Sequence, residues 1–415
     1  ALTTPHPIKL TSPRCQSAWQ PNPGRGSTYR GGNSVQTTGT SSRFPNAGLI
    51  IPAYNASNYI PYMRETIAQA QYLGWRVLVI DDGSTPGFHT DELSNLCREM
   101  SANLVRHAHN RGKAAALATG LAAIDADVIV TVDADTVLTA RDLAICLEAF
   151  REPRLGALTV TIAAASGGHL ESLQAVEYRY LLDFERQTLA SLGQVFTVPG
   201  AASFWRREAL TEAGGFSGRT LAEDTDATIG IRRAGWRVAA LREASATTCV
   251  PASLLQLLHQ RSRWIWGNIQ VAVRHAATIR GSNGACWPAT SFAALTIWHV
   301  STYLLGVWTL WVIAFDNFSI AAIAVTFVLA VLGVVRLALA VHSVGGRLDL
   351  LPRLLPAVFL MQVLNTVAFW GGLISAQVFR QRWVGVESEA FCNTSRRFSF
   401  KANDVSITKS RRAGQ

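Results

Sequence analysis

The residues able to do chemistry in this chain are a series of acids, each at the end of an apolar run, and one basic-aromatic cluster. Asp133-Ala134-Asp135 closes the run Val128 to Val132. Where that strand ends in a turn, the two carboxylates can converge. Two hard oxygen donors at one corner suit Mg2+ or Mn2+ that also holds substrate phosphates. Such an ion neutralises charge developing on a diphosphate leaving group. A plain polar turn has the same composition. Glu223-Asp224 stands one residue ahead of an expected helix, so it reads either as a helix cap or as a general base. In the second case Asp224 takes the proton of a sugar hydroxyl as that hydroxyl attacks an anomeric carbon. Gln260, Arg263 and Trp264 lie within Gln260-Arg261-Ser262-Arg263-Trp264. Arginine binds phosphate in a bidentate fork, and an indole stacks on the apolar face of a sugar ring. An interfacial helix whose Arg and Trp only anchor it to headgroups is the alternative.

Two further motifs suit a nucleotide. Asp81-Asp82-Gly83-Ser84 follows a buried-type strand, where an acid can accept hydrogen bonds from a uracil or ribose. Lys113, after Asn110-Arg111-Gly112, meets a diphosphate as a point charge, or is an ordinary solvated lysine opening a helix. Tyr54 and Asn55, past the first strand, are placed to border the base.

The elements that must position these groups alternate. Strands are expected at residues 49–51, 76–80, 103–106 and 128–132, and helices at 59–73, 90–101 and 114–124. That order predicts a parallel sheet with helices on both faces, which binds ligands beyond the carboxyl ends of its strands. Farther on come a helix at 142–150, a strand at 155–162, a long helix at 169–192, strands at 195–198, 203–206 and 237–241, and helices at 225–234 and 253–274. The last carries the basic-aromatic cluster and is expected at a membrane surface.

Composition averages two unlike parts. The 415 residues are 49% hydrophobic and 16% charged, with a formal charge of +10. Beyond about residue 290 lie apolar stretches at 292–315, 318–341 and 354–379, each longer than the roughly 20 residues a bilayer requires. Three spans are therefore expected, in a multi-pass protein of the plasma (inner) membrane with its active site facing the cytoplasm. The excess positive charge suits a membrane protein. Its scattered arginines fit no zinc-finger, homeodomain or RNA-recognition pattern, so no nucleic-acid partner is expected. Six unpaired-looking cysteines read as reduced thiols, and His107 and His109 as residues of a loop. Residues 1–43, polar and without a hydrophobic stretch, read as a disordered or surface-draped arm without a signal peptide. Residues 381–415 form a basic tail. Three spans would place it opposite a cytosolic domain, against the positive-inside rule.

Ile51-Pro52-Ala53-Tyr54-Asn55, Val79-Ile80-Asp81-Asp82-Gly83-Ser84, Asn110-Arg111-Gly112-Lys113, Val132-Asp133-Ala134-Asp135, Ala222-Glu223-Asp224 and Gln260-Arg261-Ser262-Arg263-Trp264 occur in that order. So arranged, they resemble the processive inverting glycosyltransferases of family 2: cellulose, chitin, hyaluronan and poly-N-acetylglucosamine synthases. The similarity runs from about Leu49 to His275. It implies a GT-A type domain at 44–250, α/β with a doubly wound, mostly parallel sheet. Interfacial helices at 251–285 and transmembrane helices at 286–380 would follow. It further implies a UDP-sugar donor, with UDP-N-acetylglucosamine expected, and Mg2+ or Mn2+. Carried over residue by residue, Pro52, Tyr54, Asn55, Asp81, Asp82, Lys113, Asp133, Ala134, Gln260 and Arg263 would bind the nucleotide sugar. Asp135, with Asp133, would hold the metal. Asp224, beside Glu223, would be the base, and Gly200 and Trp264 would meet the acceptor. The implied reaction is a single displacement that extends a polysaccharide and is coupled to export, with a further membrane or export subunit as a possible partner. Addition of one sugar to a ceramide or polyprenyl-phosphate type lipid is the alternative. A non-catalytic subunit that binds nucleotide or polymer is the second.

Overall fold

The computed structural model describes residues 45–85, 90–165, 167–277, 292–302, 304, 320–346, 348–378 and 405–408. The expected arm at 1–43, most of the basic tail and half of the first apolar stretch lie outside them.

Strands β1 (Ala47–Ala53), β2 (Arg76–Asp81), β3 (Asn103–His107) and β4 (Val128–Val132) form a parallel unit, with β1 between β2 and β4. Alternation on these strands is apolar on both faces. Leu49, Ile51, Val77, Val79, Val128 and Val130 pack into one core. Ile50, Leu78, Ile80 and Ile129 pack into the other. A sheet buried on both sides needs helices on both sides. α1 (Ile60–Tyr72), α2 (Thr90–Glu99) and α4 (Ala140–Ala149) cover the first face, and α3 (Lys113–Ala123) covers the second.

The rest of the sheet departs from the expected mostly parallel arrangement. The order is β5-β8-β6-β7-β4-β1-β2-β3-β9, with β5 at Thr136–Leu138, β6 at Leu155–Ala164, β7 at Ala202–Arg206, β8 at Arg237–Thr248 and β9 at Val405–Thr408. β7 runs antiparallel to both β4 and β6. The chain enters β7 through the Pro199–Gly200 turn at the end of the sheet where β4 finishes, so it must run back down. β8 continues to Thr248, past the expected 241, and pairs antiparallel with β5, a short strand the sequence does not signal. Residues 195–198, expected as a strand, are buried at three of their four positions but have no sheet partner. His107 ends β3 instead of lying in a loop.

The long helix expected at 169–192 is divided. α5 (His169–Glu177) and α6 (Asp183–Ser191) flank a π turn at Tyr178–Leu182. α7 (Arg207–Glu212) and α8 (Glu223–Arg233) precede α9 (Leu254–Ala277), α10 (Ile320–Ser343) and α11 (Leu351–Val378). Among the described residues one helical stretch, Leu348–Ile374, is long and apolar enough to cross a bilayer, with mean hydropathy 1.7. The apolar part of α10 recognised in the same way, Val331–Ser343, is shorter. α9 docks on α11: Trp266 stacks on Phe369 at 5.5 Å, its Nε1 donates to Phe369 O at 3.1 Å, and Gly372 passes directly over Ser262 and Trp266. Cys97, Cys146 and Cys249 are free thiols.

Candidate active site

The carboxyl ends of β1, β2 and β4, the Gly200 turn and the start of α8 meet at one end of the sheet. Lys113 is the first residue of α3, behind Gly112 at φ 89°, a left-handed conformation suited to glycine. Its ammonium does not point to solvent. Nζ lies 2.6 Å from Asp133 Oδ1 and 3.7 Å from Glu223 Oε1. Gly200 sits against the same group, and a Cβ there would come within 2.7 Å of Lys113 Nζ and 3.4 Å of Asp224 Oδ2. Gly200 N donates to Asp224 Oδ2 at 2.8 Å, and Thr225 N donates to Oδ1 at 2.7 Å. Glu223 and Asp224 are thus the first two residues of α8, not residues ahead of it. The cap position is Ala222, which makes no side-chain cap. Asp224 is turned across to the Gly200 turn.

Asp135 closes the cluster from the other side. Its Oδ1 accepts from Thr136 Oγ1 at 3.0 Å and Thr248 Oγ1 at 3.2 Å. Burial, and then the neighbouring Asp133 charge, push its carboxyl up to about 6 against the lowering pull of the two hydroxyls and Lys113. Tyr59 and Tyr62 stand close by: burial first, then Asp135, raises Tyr59, and a hydrogen bond with Cys249 is the leading cause for Tyr62. Among the described residues no group of three or more His, Cys, Asp or Glu is arranged to hold a metal. Asp133 and Asp135 are a hard-oxygen pair whose mutual repulsion a divalent cation would relieve. An ion that draws its remaining ligands from a diphosphate needs no more protein donors than these, so the residues fit Mg2+ or Mn2+.

The two acids after β2 are committed to the protein. Asp81, fully buried, accepts from Ser84 N at 2.9 Å and pairs with Arg106 Nε at 2.6 Å. Asp82, 3% exposed, accepts from His107 Nδ1 at 2.6 Å, Arg111 N at 3.1 Å and Gly112 N at 2.7 Å. It therefore ties down the loop that presents Lys113, and one acceptor position remains on Oδ2. Across from it, Asn55, at φ 48°, receives Thr85 N on its Oδ1 and donates its own amide to Ser84 Oγ. Pro52 lies within β1, in register with Ile80, and Tyr54 is half-buried just beyond it. Ala134 packs against the core.

Gln260, Arg263 and Trp264 lie half-buried on α9. Trp264 has its ring centroid 6.4 Å from that of Tyr178, whose buried phenol is raised to about 12, chiefly by desolvation and then by Glu177 and Asp135. Arg261, which the sequence reading passes over, is the buried arginine of this helix. It is paired with Glu177 at 2.7 Å and lies over Trp264 at 4.3 Å. Its only advance signal was its place inside the cluster, and Glu177 had none. A separate cavity of about 450 Å3, lined by Arg219, Asp226, Arg233, Arg274 and His275 among others, contains none of the expected site residues.

Known proteins resemble this chain. An N-acetylglucosaminyltransferase of Bradyrhizobium diazoefficiens is 30% identical over 236 residues, 53% of this chain and 48% of that protein. A poly-beta-1,6-N-acetyl-D-glucosamine synthase of Staphylococcus aureus is 27% identical over 229 residues, 54% and 55% of the two chains. The UDP-forming cellulose synthase catalytic subunit of Pseudomonas fluorescens is 29% identical over 240 residues, 55% of this chain and 32% of that one. The chain thus spans about half the length, or less, of these curated relatives. Among solved structures, a mannosyltransferase from Pyrobaculum calidifontis, in complex with GDP-Man and Mn2+, superposes with a TM-score of 0.51 at 19% identity, covering 82% of this chain and 89% of its own. That likeness establishes a GT-A-like fold with a mixed sheet. Residues 128–335 match Glycosyl transferase family group 2, half of the 415 residues, and the chain belongs to that family.

Proposed function

We propose that this glycosyltransferase is a membrane-embedded, inverting enzyme that moves a sugar from a UDP-sugar, UDP-N-acetylglucosamine in our reading, to the end of a growing β-linked polysaccharide. One observation carries it. The Asp224 carboxylate, oriented by the Gly200 and Thr225 amides, lies beside the Lys113–Asp133 pair. A proton acceptor and a counter-charge for a diphosphate therefore lie side by side. In this reading Asp224 Oδ2 takes the acceptor hydroxyl proton and Lys113 meets the diphosphate. Tyr54, Asn55 and the turn shaped by Asp81 and Asp82 flank the nucleoside. Gln260 and Arg263 support the donor, and Trp264 and Gly200 the acceptor. Mg2+ or Mn2+ held by Asp133 and Asp135 supplies, when bound, positive charge to the departing diphosphate.

A hydroxyl-rich acceptor also suits the junction beside Trp264. Gln260 Oε1 and Asn365 Oδ1 are buried there without hydrogen-bond partners among the described residues, and each unmet group costs about 1–3 kcal/mol. Exposed Phe327, Val328, Leu332, Leu339, Phe359, Val367 and Ile374 on α10 and α11 support insertion in lipid. Exposed Leu254, Leu255 and Val273 support α9 at its surface.

Among the described residues one helical stretch has bilayer length, and a small number of spans would favour a second reading, one sugar added to a lipid acceptor. Membranes incubated with a panel of labelled UDP-sugars and Mg2+ or Mn2+ discriminate. A hydrolase-sensitive ladder supports elongation, and one glycolipid spot supports the alternative. Asp224→Asn should lower turnover roughly 100- to 10,000-fold with UDP binding intact. Retained turnover would remove Asp224 from its role.

A further inference from the structure

Glu177 is the last residue before the π turn, and its carboxylate is held from two sides. Arg261 Nη2 donates to Oε2 at 2.7 Å, and Asn365 Nδ2 donates to Oε1 at 3.0 Å. Both members of the ion pair are 3% exposed at the side chain. The guanidinium so held lies 4.3 Å from the Trp264 ring centroid and 5.8 Å from that of Tyr178. Consecutive side chains on a regular α-helix diverge by about 100°. Here Glu177 and Tyr178 both reach Arg261, and the helix changes to π geometry at that step, as helices often do at functional sites.

A buried ion pair is a poor device for docking helices, because desolvation costs several kcal/mol per ion and an apolar pair of the same size often does as well. α9 already docks on α11 through Trp266, Phe369 and Gly372. What the pair adds is direction. The carboxylate anchors the guanidinium at one nitrogen, and the guanidinium lies against the indole in a cation–π contact.

We propose that Arg261 is a positioning residue for the acceptor sugar. Glu177 holds Arg261, and Asn365 of the apolar helix holds Glu177, so the orientation of Trp264 is tied to the seat of α11. This deepens the reading above and rests on Trp264 as the acceptor plate.

The test uses the full chain in nanodiscs, labelled with 5-fluorotryptophan, with the Trp264 resonance assigned by its loss in Trp264→Phe. Arg261→Lys keeps the charge and loses the planar fork. Glu177→Gln keeps the shape and loses the charge, and serves if the first variant does not fold. Either should move the Trp264 fluorine resonance. Each should also raise KM for a β-linked N-acetylglucosamine tetrasaccharide about 10-fold, matching a cation–π contact of 1–2 kcal/mol, while the Kd for UDP stays within about twofold. A resonance unmoved by either variant overturns the proposal, as does an equal loss of tetrasaccharide and UDP affinity. If Trp264→Ala leaves the tetrasaccharide KM unchanged, the acceptor reading itself fails and the proposal falls with it. If Trp264→Ala raises that KM and Arg261→Lys does not, the positioning role alone is lost.

Discussion

Lys113 Nζ stands 2.6 Å from Asp133 and 3.7 Å from Glu223, so one ammonium joins the acid that ends β4 to the acid that begins α8. Removing it would leave these acids without their shared counter-charge and, in the proposed function, without the cation that meets the donor diphosphate. Lys113→Met should weaken UDP binding roughly 10- to 100-fold, the worth of one charge-assisted hydrogen bond. Calorimetric titration with UDP and Mg2+ measures this, and a change below about twofold would separate Lys113 from the phosphates.

Gly200→Ala tests the crowding at the acceptor side. The added methyl would press on Lys113 Nζ and come into ordinary contact with Asp224 Oδ2. The lysine end is flexible and can yield, so the fold should tolerate the change. Turnover should fall roughly 10- to 100-fold through displaced reacting groups, with the melting temperature nearly unchanged. Parallel loss of both would assign Gly200 to folding instead.

Asp135 predicts a pH dependence in the metal-free protein. An aspartate in the unfolded chain titrates near 4, whereas burial and Asp133 push Asp135 up to about 6. Between these values the folded chain holds a proton that the unfolded chain has released. Stability present below pH 4 is therefore lost as pH rises through 6, by about 3 kcal/mol. In EDTA, Asp135→Asn should exceed the parent in stability by a larger margin at pH 7.5 than at pH 4.5. Equal margins at both pH values would contradict the shift.

The docking of α9 on α11 rests on a close approach at Gly372, where any side chain would fall onto Trp266 Nε1 and Ser262 Oγ. Gly372→Leu should part the helices and impair acceptor use well beyond UDP binding. Unaltered acceptor KM in nanodiscs would show that the helix seat does not govern the indole.

Much of this protein was legible in its residues. β1 to β4, the helices between them and the acids at their ends follow from short continuous apolar runs and period-3.6 patterning, a property of neighbours along the chain. Lys113, Asp133, Glu223 and Asp224 could be nominated because each follows or opens such an element. Local pattern does not say which strand pairs with which, so the reversed β7, the short β5 and the extension of β8 were out of reach. The same holds for the Glu177 junction, whose contacts join residues 84 and 188 positions apart. The amino-acid sequence alone determined which side chains could bind a nucleotide sugar and in what order they come. Tertiary structure alone decided that Lys113 turns inward, that Asp82 serves its own loop and that Arg261 lies against Trp264, because burial and long-range pairing exist only once distant segments share one core.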